Sequence, residues 1–184
     1  MGTVTRISIP QKNLKKFEQV LLYILCKAGS KPNIGETVIY KLLYFIDFNF
    51  YEKYEEQLIG ATYIKNQYGP TPKEFIKVVD GMIKHNEIIK VKGKYFNFPQ
   101  TKYLPLISPD LTQLKAHELS IIDDVLNKLS DMNAIQISQY SHEDVPWLTT
   151  PEEQPIDYEA VFYRTACYSV REYNADSDPK AFRI

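Results

Sequence analysis

The chain has 184 residues, 44% of them hydrophobic, with 22 basic and 23 acidic side chains and a net charge of −1. This length and composition fit one globular domain with a proper core and exclude a disordered chain. The charge balance gives no whole-molecule field for nucleic acid or membrane, and no apolar run reaches the ~20 residues that span a bilayer.

Leu14, Phe17, Leu21, Ile24 and Leu25 recur at helical spacing and Gly29 supplies a stop, which predicts a first helix over 13–27. After a polar loop containing Pro32, a second helix is expected over 36–54. Apolar residues cover nearly all its faces, the mark of a central element, although Lys41, Asp47 and Asn49 interrupt the run. Residues 60–67 alternate enough to form one short strand. Thr71-Pro72-Lys73-Glu74 then predicts the start of a third helix, with Thr71 as N-cap, Pro72 in the first position and Glu74 closing a capping box. Phe75, Val78, Val79, Met82 and Ile83 supply its buried stripe. A β-hairpin is expected over 88–98, turning at Gly93, because Ile89 and Val91 alternate with Lys90 and Lys92. A fourth helix over 113–131, a fifth from Asn133 or Ala134 and a last from 157 to 168 complete the pattern. The expected fold is mainly α (α+β), a helical domain of about six helices with one short strand and a hairpin. It is expected to span residues 1–173, with a loose polar tail over 174–184.

Cys26 and Cys167 lie far apart within apolar patterns, so spacing excludes a C-x-x-C site and buried free thiols are expected. The N-terminus lacks the basic-then-apolar pattern of a signal peptide. Together these features point to a soluble, reducing, cytoplasmic setting. Aromatics reach 13%, led by 14 tyrosines against a single tryptophan. Tyrosine joins an apolar body to a polar tip and serves a core or an interface equally well. Five lysines face one acid, Glu87, between Lys84 and Lys102, and six carboxylates stand without Lys or Arg between His142 and Glu159. Both segments read as solvated faces.

Asp47 is a carboxylate in the most hydrophobic helix. It needs a solvent gap or a partner such as a tyrosine hydroxyl, a lysine or a helix N-terminus. Tyr68-Gly69-Pro70-Thr71-Pro72 reads as a stiff entry to the third helix, whose N-terminal N–H groups offer themselves to an anion or a partner carboxylate as the functional alternative. His142-Glu143-Asp144 beside Trp147 crowds acid and base groups together. It lacks metal-ligand spacing and a nucleophile elbow, and the seven glycines form no G-x-G loop. No catalytic, cofactor or metal site is therefore assigned, and a structural cap is the preferred reading of that segment. An Asp47–His142 pair across a cleft is the enzymatic alternative. A winged-helix arrangement of residues 71–98, with Lys90, Lys92 and Lys94 along the wing, is the DNA-binding alternative, weakened by Glu74, Asp80 and the lack of arginine there.

Taken in order, Lys41-Leu42-Leu43-Tyr44-Phe45-Ile46-Asp47, Gly60-Ala61-Thr62-Tyr63, Tyr68-Gly69-Pro70-Thr71-Pro72, Ser141-His142-Glu143-Asp144 and Pro146-Trp147 resemble the Panacea domain, the SocA-like antitoxin family of bacteria. The resemblance runs from about Leu14 to Phe162. It implies a cytoplasmic, non-enzymatic antitoxin, found beside toxin genes and in phage-related loci, that neutralises a cognate toxin by direct protein binding. The implied alternative is an adaptor that delivers the toxin to a cytoplasmic protease or unfoldase. Many relatives carry a DNA-binding module for which this chain has no room, so DNA is not an expected partner. The family motifs fall on Tyr44, Asp47, Tyr68, Gly69, Pro70, Pro72, His142, Asp144, Pro146 and Trp147, which are candidate partner contacts. The tyrosine excess, rather than the resemblance, adds Tyr51, Tyr54, Tyr63, Tyr163 and Tyr168 as interface candidates.

Overall fold

The structure, a computed structural model, describes Pro10 and residues 12–172, so the expected tail over 174–184 lies outside the described residues. Asn13 opens α1 (Leu14–Ala28) by accepting the Lys16 N–H at 3.1 Å, as the spacing predicts. Its stripe of Phe17, Val20, Leu21, Ile24, Leu25 and Ala28 is buried, whereas Cys26 lies off that stripe and is exposed. Cys167 is exposed as well, so neither thiol is the buried one expected. The second helix, α2 (Glu36–Tyr54), runs through the centre, and nearly every side chain from Val38 to Glu52 is buried.

The segment after α2 departs from the sequence reading. Residues 60–67 do not make a lone strand: β1 (Tyr63–Asn66) pairs antiparallel with β2 (Gly69–Pro72). The prolines are tolerated because of where they face. Tyr63 and Lys65 direct their main-chain groups outward: Ile156 N–H donates to Tyr63 O at 2.8 Å, and Lys65 N–H donates to Gln154 O at 3.0 Å. Their partners across the hairpin, Pro72 and Pro70, therefore occupy positions that need no N–H. With residues 69–72 committed to a strand, Thr71 cannot cap the third helix, which begins at Phe75 (α3, Phe75–Lys84). Glu74 forms no capping box and instead accepts the Thr62 N–H at 2.9 Å.

The second hairpin joins β3 (Ile88–Tyr95) to β4 (Phe98–Pro105). Its turn is Phe96-Asn97, not Gly93, which sits mid-strand opposite Gln100. Phe96 has φ of 52°, the left-handed geometry of tight two-residue turns. A 3-10 turn (Leu111–Gln113) leads into α4 (Ala116–Leu129), and Asn133 with Gln136 forms a capping box for α5 (Ala134–His142). The short α6 (Val145–Thr149) follows with Pro146 in its first turn.

The expected last helix over 157–168 is absent. Residues Tyr158–Tyr163 form a 3-10 segment, and Arg164 is already extended. A period of three places Tyr158, Val161 and Arg164 on one line, and all three are buried. One continuous cluster of buried hydrophobics is built around α2 with contributions from α1, α3, α4, α5, β1, the base of the second hairpin and the Tyr158–Tyr163 segment.

Gly69 is the tightest point of this packing. Its φ is 102°, and a Cβ there would lie 2.5 Å from Ser141 Oγ and 2.8 Å from Lys41 Cε. Gly69→Ala is expected to cost about 2–4 kcal/mol in urea denaturation, from backbone strain and overpacking together. An unchanged midpoint would contradict this close approach.

Candidate functional site

Two buried polar networks and one open cleft surround the motif residues. The first network centres on Asp47, which is fully buried. Beyond α2, Glu55 takes a left-handed φ of 56° and Gly60 one of 68°, turning residues 59–61 back towards the helix. Asp47 Oδ1 accepts N–H bonds from Ile59 at 2.7 Å and Gly60 at 3.2 Å, and Oδ2 accepts that of Ala61 at 3.3 Å. The hydroxyls of Tyr63 and Tyr158 each lie 3.0 Å from Oδ2. Tyr63 also reaches Leu43 O at 2.9 Å, and Tyr158 reaches Ala61 O at 2.6 Å. Each phenol thus has one proton for two acceptors. With a proton on Asp47, three protons serve these four contacts, since the carboxyl then donates to one phenol while that phenol donates to its carbonyl. Burial pushes the Asp47 carboxyl above its ordinary range, against the pull of these donors.

The second network centres on Arg164, whose guanidinium is fully buried. It grips Asp144 with two bonds, Nε to Oδ1 at 2.9 Å and Nη2 to Oδ2 at 2.6 Å. Its Nη1 donates to Asn49 Oδ1 at 2.8 Å and to Glu52 Oε2 at 2.9 Å. Tyr44 donates its hydroxyl to Asp144 Oδ2 at 2.8 Å. Asp144 therefore does not cap α6 with its side chain. It anchors the C-terminal segment, and the forked geometry suits a buried pair.

The cleft, of about 650 Å³, lies between α2, the β1–β2 hairpin and residues 152–153. Lys41, Lys65 and Tyr68 line it together with Glu152 and Glu153. Lys65 Nζ sits 4.0 Å above the Trp147 ring and 3.3 Å from Glu152. Trp147 in turn stacks on His142 with centroids 4.2 Å apart. Burial, then the charges of Lys41 and Lys65, hold the His142 imidazole below its ordinary range. Trp147 Nε1 and His142 Nε2 are both buried without a hydrogen-bond partner among the described residues. Burial alone lowers the Lys41 ammonium from 10.5 to about 7.

The structure thus divides the residues singled out from sequence. Tyr44, Asp47 and Asp144 are interior network members, and Gly69, Pro70, Pro72 and Pro146 are buried packing positions. Tyr68 (69% exposed) stands at the cleft, with His142 and Trp147 stacked behind Lys65. Of the interface tyrosines, Tyr63 is fully buried on Asp47, and Tyr51 is buried with its hydroxyl 2.5 Å from Glu159. Tyr54 and Tyr168 are half-buried, Tyr168 donating to Tyr140 O at 2.9 Å. Tyr163 is 79% exposed. An Asp47–His142 pair is not formed, because Asp47 spends its oxygens on the 59–61 turn and two phenols while His142 lies against Trp147. Sequence reasoning missed Lys65, Tyr158 and Arg164 and gave Lys41 and Glu52 no role. Lys41 and Glu52 had a signal, since each is ionisable within the same apolar helix as Asp47.

No group of three or more His, Cys, Asp or Glu side chains able to hold a metal ion occurs among the described residues, and no described helix is long and apolar enough to cross a membrane. What the arrangement offers is a rigid body with a lysine-lined cleft and exposed apolar edges, the means of a binding domain. Residues 39–148 match the model of the family described as Antitoxin SocA-like, Panacea domain, about three fifths of the chain. The chain belongs to this family. No curated protein and no solved structure matches it significantly. The matched stretch holds Asp47, Asp144 and the cleft lysines, but Tyr158 and Arg164, which complete both networks, lie beyond it.

Two outcomes follow for stability. Asp47→Asn keeps an acceptor for Ile59 and Gly60 and donors for the phenols, so urea denaturation is expected to show a loss of about 1 kcal/mol, against 3 kcal/mol or more for Asp47→Leu. Equal losses would contradict the proton count above. Lys41 folds with its ammonium near 7 and unfolds to 10.5, so the unfolded chain binds more protons between those values and stability rises with pH across that window. Lys41→Met is therefore expected to raise the melting temperature most below pH 7, with the gain shrinking towards pH 10.

Proposed function

We propose that this protein is a non-enzymatic antitoxin that neutralises a toxin by binding it directly and covering its working surface. Membership of the SocA-like antitoxin family is the observation that carries the reading. The distribution of exposed apolar groups supports it and suggests where contact is made. The outer part of the β3–β4 hairpin is solvent-exposed along most of its length, and its tip carries Phe96 (80% exposed) and Phe98 (68% exposed). Ile89 and Val91 are exposed nearer its base, and Ile135 of α5 lies across a cavity of about 430 Å³ that Val38, Phe96 and Phe98 also line. Lys90, Lys92 and Lys94 are exposed on the same strand. An aromatic tip beside a cationic strand suits a toxin surface that combines an apolar pocket with acidic residues. Tyr163, on the C-terminal segment, is a further exposed contact in this reading.

The test is co-expression with the product of the adjacent gene. The wild-type chain is expected to restore growth and to co-elute with that product. A Phe96→Asp and Phe98→Asp double variant is expected to keep its melting temperature, since both rings are exposed, and to lose at least tenfold in affinity. Full rescue by the double variant removes the hairpin from the interface. Absence of rescue by the wild type removes the antitoxin reading. A fall in toxin half-life that depends on a cytoplasmic protease would replace occlusion by delivery as the mechanism.

A further inference from the structure

The buried and half-buried cations of this fold fall into two kinds. Arg164 is held by Asp144 and Glu52, Lys16 lies 2.6 Å from Glu118, and Lys65 lies 3.3 Å from Glu152. Lys41 is buried to 1% exposure and has neither a hydrogen bond nor a carboxylate partner among the described residues. Its compensation is the Tyr40 ring, with Nζ 5.8 Å from the centroid, and a cation taken out of water with no charged partner works against the fold that contains it. Its stem is fixed in place nonetheless. The Gly69 main chain closes over Cε so tightly that a Cβ there would stand 2.8 Å away, and Ser141 packs on the same spot. The side chain is thus held towards the cleft that it lines.

We propose that the cleft between α2, the β1–β2 hairpin and residues 152–153 is a binding site for a carboxylate group, with Lys41 as its charge partner and Lys65 beside it. The charges around the opening select this class of ligand. Lys65 is already paired with Glu152, so Lys41 is the cleft cation left without a carboxylate partner, while Glu153 on the same lining disfavours a ligand of higher negative charge. A dianion such as sulfate would bring two charges against the two glutamates at the opening. Thr37 and Tyr68 add hydroxyls to the walls. Tyr40 contributes ring surface only, because its hydroxyl donates to Glu36 at 2.8 Å. The carboxylate is supplied either by an acidic side chain of a protein partner or by a free small acid, and the chemistry at Lys41 is the same. The first source rests on the antitoxin reading, and the second does not.

The full-length protein, labelled with carbon-13 at the lysine ε position, tests the site by NMR at pH 6.5. Sodium acetate and sodium sulfate are each titrated against sodium chloride at matched ionic strength. Lys41→Met identifies the Lys41 signal and, by the stability argument above, folds at least as well as the wild type. The expected result is a saturable shift of the Lys41 signal with acetate, at least tenfold weaker binding of sulfate, and no saturable shift with chloride. Equal linear drift in acetate and chloride would overturn the site, and tighter binding of sulfate than acetate would overturn the carboxylate assignment. Loss of stability in Lys41→Met would also count against the proposal, since it would make the ammonium a structural group. The same titration on the complex with the adjacent gene product then separates the sources. If acetate no longer reaches Lys41, a partner side chain fills the site; if it still binds, the ligand is a free acid. Failure to form any complex would sink the antitoxin reading and leave the acetate result to decide this site alone.

Discussion

The fold depends on one carboxylate in an apolar helix. Asp47 gathers three successive N–H groups from the turn after α2 and the hydroxyls of two tyrosines that follow that turn, Tyr63 and Tyr158. Without that acceptor, residues 59–61 would bury main-chain donors in a core that offers them nothing else. The consequences run outward. A fixed turn sets the direction of β1, β1 sets the register of β2, and β2 lays Gly69 across Lys41. The shape of the open cleft therefore traces back to an interior hydrogen-bond requirement about one helical turn and a half further along α2.

Both buried networks close late in the chain. Tyr158 brings a phenol to Asp47, and Arg164 joins Asp144 to Asn49 and Glu52. The stretch that matches the antitoxin family ends at residue 148, so its two interior carboxylates are completed by residues that follow it. This is a division of labour. Interior charges are matched and fix one arrangement of elements. The hairpin tip stays exposed, and the Lys41 ammonium has the Tyr40 ring beside it and no carboxylate among the described residues.

Much of the helical frame was legible in the sequence. The boundaries of α1 and α5 follow from apolar spacing and from polar caps, and those of α2 from apolar spacing alone, because these are local effects acting over four residues. The need of Asp47 for a partner was legible too, and a tyrosine hydroxyl was among the options. Where reading failed, a distant contact overrode a local signal. Thr71-Pro72-Lys73-Glu74 has every mark of a helix start, yet pairing with Tyr63 and Ile64 holds it in a strand. Gly93 has the mark of a turn, yet β3 continues to Tyr95, which still pairs with Phe98. Residues 157–168 have helical spacing, yet Tyr158 and Arg164 must both reach buried carboxylates, and a 3-10 path brings them there. The tyrosine excess gave no direction at all: Tyr63 and Tyr163 look alike in sequence, and one is core while the other is surface.

By itself the sequence determined a mainly helical domain, the central place of α2 and the order of motifs that marks the antitoxin family, because composition and short-range periodicity encode what each segment buries. Only the tertiary structure decided which charges are satisfied. Asp144 follows Glu143 and Lys41 stands in an apolar helix, yet nothing local says which of them gains a partner. Arg164 arrives beside the first from twenty residues away, while no carboxylate arrives beside the second, and that difference arises from the path of the folded chain through space.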